Sequence, residues 1–420
     1  MLNQISQVLV IVDSINVNDS SASKGRVALI NNLSKIGYHV TVMHYTQNDI
    51  YLKGVTCVSI KEKKYTPLYF LSRTQRVIQR YFKINLAACL ESVFGFSFTF
   101  FNDVNSIKAA LKKLDISKFD LILTLSKGAS FRPHYAINKL PVLHEKWMAY
   151  IHDPYPMSCY PQPYQWNEPG HKQKRLFFKE VSKNAKYSAF PSLLLQEWMC
   201  NYFPNFIKTG IVIPHQNFKE ELINLKVPSY FDTTKFNVLH AGNLMKQRNP
   251  EGLIKGFELF LENKPKAKED SQLLLLGNAD YHKESINKFA TSLPQLFIKL
   301  MNVPFIEVYY LQKQVSVNVI LEANSEISPF LPGKFPHCVE ADKPILHLGP
   351  NHSETKRLLG ENYEYWTEID NVKTISEILE KLYSEWLNKT KTLRLNRPDL
   401  ENYLGKEYLK EQLEKVFDND

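Results

Sequence analysis

Short apolar runs, each closed by polar or turn-forming residues, alternate along this chain with stretches whose apolar positions recur at helical spacing. In the first half, Val8–Ser14, His39–Tyr45, Gly54–Ile60, Phe119–Ser126 and Trp147–Asp153 predict strands, and Arg26–Tyr38 predicts a helix. The pattern restarts after Pro214. Lys235–Gly242, Gln272–Asn278, a part of Val315–Asn324 and Lys343–Pro350 predict strands, and Pro250–Asn263 predicts a helix led by proline. Continuous apolar strands alternating with helices predict parallel sheets covered on both faces. The expected class is therefore α/β, with two doubly wound domains facing each other across a cleft. Their expected bounds are 1–213 and 214–398, and an amphipathic helix in 399–420 is expected to pack back near the domain junction. Ligands of such sheets sit at the carboxyl ends of strands. The loops of interest then follow Asp13, Ser126, Asp153, Gly242, Gly277 and Asn324.

Length and composition narrow the class. The 420 residues are too many for one small core, and 44% hydrophobic residues is ordinary for a globular protein. No run reaches the roughly 20 apolar residues that span a bilayer. The N-terminus has no basic region before its first apolar run, so it does not read as a signal peptide. Five scattered cysteines without a C-x-x-C fit a reducing, cytoplasmic compartment and no zinc site. The net charge of +9 is unevenly spread: residues 1–215 carry 26 Lys and Arg against 13 Asp and Glu, and the rest 26 against 30. The basic half suits an anionic partner. G-x-G-x-x-G after the first strand and G-x-x-x-x-G-K-[ST] are both absent, and the D-x-D at Asp418–Asp420 lies at the extreme tail.

Three segments carry candidate chemistry. In Ser328–Leu346, Pro332 suits a first helical turn, Gly333 lets backbone approach a ligand, and Lys334 adds charge beside exposed N–H groups. Together these make an anion site, against the plainer reading of a loop–helix entry with a solvated lysine. In His240–Leu253, Arg248 precedes a proline-led helix and can fork onto phosphate oxygens, or be a surface arginine. In Trp147–Pro156, a strand delivers His152 and Asp153 to its carboxyl end, as an acid/base or hydroxyl-binding pair or as a locally satisfied histidine.

In this order and spacing the segments resemble GT-B glycosyltransferases of the family-4 type, particularly bacterial enzymes of surface-polysaccharide assembly. Trp147, Ala149, Asp153 and Pro154 match a first-domain motif, and Gly242, Leu244 and Arg248 match the opening of the second domain. Ser328, Pro329, Phe330, Leu331, Pro332, Gly333, Lys334, Lys343 and Pro344 match the donor loop. The resemblance implies two Rossmann-like domains and a retaining, metal-independent transfer of sugar from a nucleotide-sugar donor to a glycan or lipid-linked acceptor. No cofactor is implied, the nucleotide sugar being a substrate. It assigns Arg248 and Lys334 to the diphosphate, and His152 and Asp153 to donor sugar or acceptor hydroxyl. Gly242, Asn243, Ser328, Phe330, Leu331 and Gly333 line the donor site, with Asn278 near the base.

The sequence departs from the pattern at several points. His337 and Pro329 stand where the family carries glutamates, so the ribose contact falls to Glu340 or His337. Asn243 and His152 each stand where an arginine is usual, and the Gly-Gly turn after the first strand is replaced by a loop with Lys24, Gly25 and Arg26 on the acceptor side. An alternative is a catalytically weak relative that binds nucleotide sugar or glycan within an assembly complex; a nucleotide-sugar epimerase is a more distant one. Finally, Arg73, Arg76, Arg80 and Lys83 fall largely on one helical face beside the apolar Ile84–Phe101. This suits either a peripheral location on the inner face of an anionic membrane or a core helix with a solvated basic face. No nucleic-acid-binding motif is present.

Overall fold

The structure is a computed structural model and describes residues 6–17, 21–217, 226–301, 303–388 and 393–418. Asp420 thus lies outside the described residues. The chain divides into two compact units. The first comprises 1–160, 164–218 and 403–420, and the second 161–163 and 219–402.

Unit 1 is built on seven strands: β1 (Gln7–Val12), β2 (His39–His44), β3 (Thr56–Ser59), β4 (Leu121–Leu125), β5 (Trp147–Tyr150), β6 (Tyr187–Phe190) and β7 (Gly210–Val212). Their order is β3-β2-β1-β4-β5-β6-β7, and every pairing is parallel. β1 shows why the run is continuously apolar. Leu9 and Ile11 enter one layer with Phe131, Trp147 and Phe178. Val8, Val10 and Val12 enter the other, with Val27, Ile30 and Leu33 of α1 (Ser21–Lys35). A strand with helices on both faces has no wet side, so alternation disappears. Between β3 and β4 run α2 (Pro67–Phe82), α3 (Leu86–Phe94) and α4 (Phe98–Leu111), and α5 (Arg132–Asn138) follows β4.

The tail read as one helix is two, Pro398–Tyr403 and Lys406–Asp418, broken around Leu404–Gly405. The second lays Leu409 and Leu413 into the α1 side of the unit 1 core, and Leu404 O accepts a hydrogen bond from Asn217 N at 2.8 Å.

Unit 2 repeats the design with β8 (Phe236–Ala241), β9 (Ser271–Leu276), β10 (Leu296–Lys299), β11 (Val317–Leu321), β13 (Ile345–Leu348) and β15 (Trp366–Thr367). The order is β10-β9-β8-β11-β13-β15, again all parallel, and a small ribbon joins β12 (Ile327–Ser328) to β14 (His352–Ser353). Phe236 and Val238 of β8 pack under α6 (Glu251–Asn263), while Leu239 and Ala241 pack with Leu311 of α7 (Phe305–Gln314). α8 (Phe335–Glu340) is the short helix expected behind Lys334, and α9 (Val372–Leu387) covers α6. In both sheets the first strand sits between its second and fourth. The chain leaves in opposite directions there, so strand-end loops splay apart and open a crevice.

Candidate functional site

At that point in unit 2, β8 ends on His240 and Ala241, and Gly242 follows. Gly242 N donates to Leu276 O at 2.8 Å, and Leu244 N donates to Asn278 O at 2.8 Å. Asn243 Oδ1 accepts from Asn278 N at 3.2 Å. Asn243 and Asn278 therefore brace the β8 and β9 loops against one another. Gly277 is required by this closeness, because a Cβ there would stand 2.5 Å from Gly242 O.

Lys334 enters from the other side of the crevice, at the head of α8. Its stem lies on the Gly242 backbone so closely that a Cβ on Gly242 would meet Nζ at 2.6 Å. Nζ is 3.5 Å from His240 Nε2. Burial, reinforced by the charge of Arg248, lowers the Lys334 ammonium to a pKa of about 7. Burial, then Lys334 and Arg248, hold the His240 imidazole well below its usual range, so it is neutral. The charge of Arg248, from a separate sequence segment, thus bears on both Lys334 and His240. Gly333 beside them faces open space, since an added Cβ would meet nothing within 4 Å. Positive groups that oppose one another's protonation favour an anion beside them.

The rest of the expected donor loop is placed as follows. Ser328 and Leu331 are buried and Phe330 is half-buried. His337 meets the rings of Phe305 and Tyr309 edge to face, at 5.0 and 5.7 Å. The expectation for Glu340 needs correction. Its carboxylate is buried, accepts from the Tyr309 hydroxyl, and pairs with Lys313 Nζ at 2.9 Å. It is turned to α7 rather than to the strand-end loops. Among the described residues, no group of three or more His, Cys, Asp or Glu is placed to hold a metal ion.

The corresponding point of unit 1 lies between β1 and β4, at Asp13 and Ser126. Ser130 donates to Asp13 Oδ2 at 2.5 Å, with Arg132 Nη1 3.8 Å from the same oxygen. Arg132 Nε donates to Asp103 at 2.9 Å. Burial raises both carboxyls, and Asp13 Oδ1 is enclosed without a hydrogen-bond partner. His152, just past β5, holds its Nδ1 3.0 Å from Ser126 Oγ, stacks near-parallel to His215 at 6.0 Å, and lies 4.2 Å from the Tyr150 ring. Burial, then His215 and Arg26, keep its imidazole neutral, well below the usual range. Asp153 beside it is half-buried and helps raise the Tyr160 phenol, chiefly raised by burial.

Arg26 is a second correction. It is fully buried, with Nε on Ser14 O and Nη1 on Ser126 O, both at 3.3 Å, and Nη2 on Ser23 Oγ at 2.7 Å. It ties the β1 and β4 loops together and offers no outward charge. Lys24 and Gly25 stay half-buried on the same helical turn, and burial lowers the Lys24 pKa. Sequence reasoning missed His240, Ser130, Arg132 and Asp103. His240 was hidden inside an apolar strand run, and the Asp13 network joins residues more than 100 positions apart.

No protein-family model matches the chain, and no curated protein matches it. Solved structures do. HepE of Anabaena, in complex with UDP and glucose, is 11% identical with a TM-score of 0.59, over 99% of this chain and 100% of that one. A UDP-forming trehalose-phosphate synthase of Burkholderia xenovorans, in complex with glucose-6-phosphate, is 9% identical with a TM-score of 0.64, over 98% and 100%. A glycosyltransferase of Rickettsia africae is 14% identical with a TM-score of 0.55, over 97% and 99%. Near-complete coverage in both directions at such low identity is likeness of fold. The chain has the GT-B fold, with two Rossmann-like parallel-sheet domains.

Proposed function

We propose that the protein is a glycosyltransferase that moves a sugar from a nucleotide-sugar donor to a glycan or lipid-linked acceptor, with retention and without a metal. One observation carries the reading: at the crevice of the unit 2 sheet Lys334 Nζ lies 3.5 Å from His240 Nε2, the charge of Arg248 bears on both, Gly242 leaves room for the lysine stem and Gly333 faces open space. A departing nucleoside diphosphate gathers negative charge in the transition state, and fixed cations in a partly dehydrated pocket stabilise it. Arg248 and Lys334 take the phosphates, and the Asn243–Asn278 brace holds the loop that meets the base. In unit 1, Asp13 and the neutral His152 take hydroxyl groups of sugar or acceptor, His152 through Nε2, since Nδ1 is held at Ser126. Donors carrying UDP come first to test, because HepE was solved with UDP and glucose. The same reading places the protein in bacterial surface-polysaccharide or glycoconjugate synthesis, in the cytoplasm and peripherally at the membrane.

The test is a thermal-shift panel of nucleoside diphosphates followed by transfer assays with the matching sugars. A nucleotide present at 100 times its Kd stabilises by about 2.7 kcal/mol. Product should form with wild type and be lost in Arg248→Ala. No shift with any nucleotide would sink the reading. The engagement of Glu340 by Tyr309 and Lys313 favours a second reading, a binding subunit that holds nucleotide sugar without turnover. Donor binding with neither transfer nor hydrolysis would select it.

A further inference from the structure

The helix α2 is amphipathic in the reverse sense for a surface helix. Packed against the protein are Ser72, fully buried, and Gln75, 4% exposed. Gln75 Oε1 accepts the backbone N–H of Phe98, at the start of α4, at 3.1 Å. The stripe of Phe70, Leu71, Val77, Tyr81 and Phe82 points outward instead, with Tyr81 79% and Phe82 71% exposed. An ordinary surface helix turns its apolar stripe to the core. The exposure continues past the helix end through Ile84 to Val93 and Phe94 at the end of α3. Of the 21 large apolar side chains that stand exposed in the described residues, nine lie between Tyr65 and Phe94. Exposed single apolar residues are ordinary, but a contiguous group marks a contact surface.

The charges flanking that stripe identify the partner. Residues 61–94 hold seven Lys and Arg against two Glu. Arg73, Arg76 and Arg80 form the neighbouring stripe of α2, and Lys61, Lys63 and Lys64 stand exposed just before it. Glu62 lies 3.5 Å from Arg73 and 3.6 Å from Arg76. Apolar and aromatic side chains edged by arginines and lysines match the headgroup layer of an anionic bilayer. Among the described residues no helix is long and apolar enough to cross a membrane.

We propose that the outer face of α2, continued through Ile84 to the end of α3, is a docking surface for anionic membrane, with Tyr81 and Phe82 entering the headgroup layer. α4 connects this surface to the polar network of unit 1. Asn102 donates to Glu62 at 2.9 Å on one side, and Asp103 accepts from Arg132 at 2.9 Å on the other. The glycosyl-transfer reading gives the surface a purpose, a lipid-linked acceptor in the same layer. The docking itself stands on the helix alone.

Flotation of the full chain with vesicles tests it, using phosphatidylcholine alone and phosphatidylcholine with about a third phosphatidylglycerol, at low salt. The chain should float with the anionic vesicles only. Tyr81→Ser with Phe82→Ser should weaken partitioning roughly tenfold or more, and Arg80→Glu several-fold. All three positions are exposed, so melting temperatures should stay at wild type. Failure to float, equal flotation with neutral vesicles, or flotation untouched by the Tyr81/Phe82 pair overturns the proposal. So does a wild-type dimer that these substitutions dissociate, since a second copy would then cover the stripe. Nucleotide-induced melting shifts are read on the same preparations. A chain that floats but binds no nucleotide leaves the membrane surface standing and removes the transferase reading, and the opposite result does the reverse.

Discussion

Lys334 should weaken the ligand-free protein while making ligand binding possible, and Lys334→Met separates the two effects. The substitution keeps an unbranched apolar stem and deletes the charge that burial and Arg248 oppose. In the folded protein the ammonium has a pKa of about 7, against its usual 10.5. Below pH 7 the folded and unfolded chains both hold the proton, and the destabilisation is at its full extent. Between pH 7 and about 10 the unfolded chain holds a proton the folded chain has lost, so stability rises with pH in that window. The rise is about 1 kcal/mol from pH 7 to pH 8 and approaches ~1.4 kcal/mol per unit above that. The methionine variant lacks the slope. At neutral pH it should be more stable than wild type by a few kcal/mol, each shifting Tm by about 2–4 °C for domains of this size.

The bound state has the opposite sign. A diphosphate at the pocket favours the charged lysine, so binding takes up a proton when the pH is above 7. Nucleoside diphosphate affinity should fall towards tenfold per unit from pH 7 to pH 9 in wild type, and should be weak and flat in the variant. Calorimetric or fluorescence melts of both proteins at pH 7 and 8.5, with and without nucleotide, read all four quantities. A Lys334→Met variant that melts at or below wild type at pH 7 with the same pH slope, or that keeps the nucleotide-induced shift, would refute both effects.

Gly242→Ala should displace the lysine, its Cβ falling 2.6 Å from Nζ, and should weaken nucleotide binding about tenfold in a titration, with some loss of stability from the φ of +156° that alanine must adopt. Gly277→Ala sets a Cβ 2.5 Å from a backbone oxygen, which cannot swing away, and should lower unfolding stability by ~1–3 kcal/mol in urea. Arg26→Met strips partners from Ser14 O and Ser126 O and should destabilise unit 1 by ~2–4 kcal/mol, read as a lowered urea midpoint. His152→Ala should retain nucleotide binding and lose roughly 10²–10⁴-fold in transfer. Because burial keeps His152 neutral, the wild-type rate should show no inflection from it between pH 6 and 8.

What the sequence made legible follows from what leaves a one-dimensional trace. β1, β4, β8 and β11 are central strands of doubly covered sheets, so each is a mostly apolar run without polar alternation. β6, β7 and β10 escaped notice because Tyr187–Phe190, Gly210–Val212 and Leu296–Lys299 are too short or too mixed to stand out. Lys334 and Arg248 stood out as candidates because each adjoins a turn that reads as ligand-facing. His240 did not, because a histidine inside an apolar strand reads as core until its neighbours in space are known. Arg26 looked like loop charge beside a glycine. Which way a guanidinium turns depends on whether carbonyls such as Ser14 O and Ser126 O wait inside, and they come from segments over 100 residues apart. α2 is the sharpest case. Its periodicity separates an apolar stripe from a polar one but does not say which faces the protein. The fold settles that by receiving the polar stripe, where Gln75 meets the Phe98 amide. Burying Phe70, Val77 and Phe82 instead would stabilise by ~1.5–3 kcal/mol each. A helix that forgoes this on its own core leaves the stripe for another apolar medium, and the arginines alongside are the reason the docking proposal commits to one edged with negative charge.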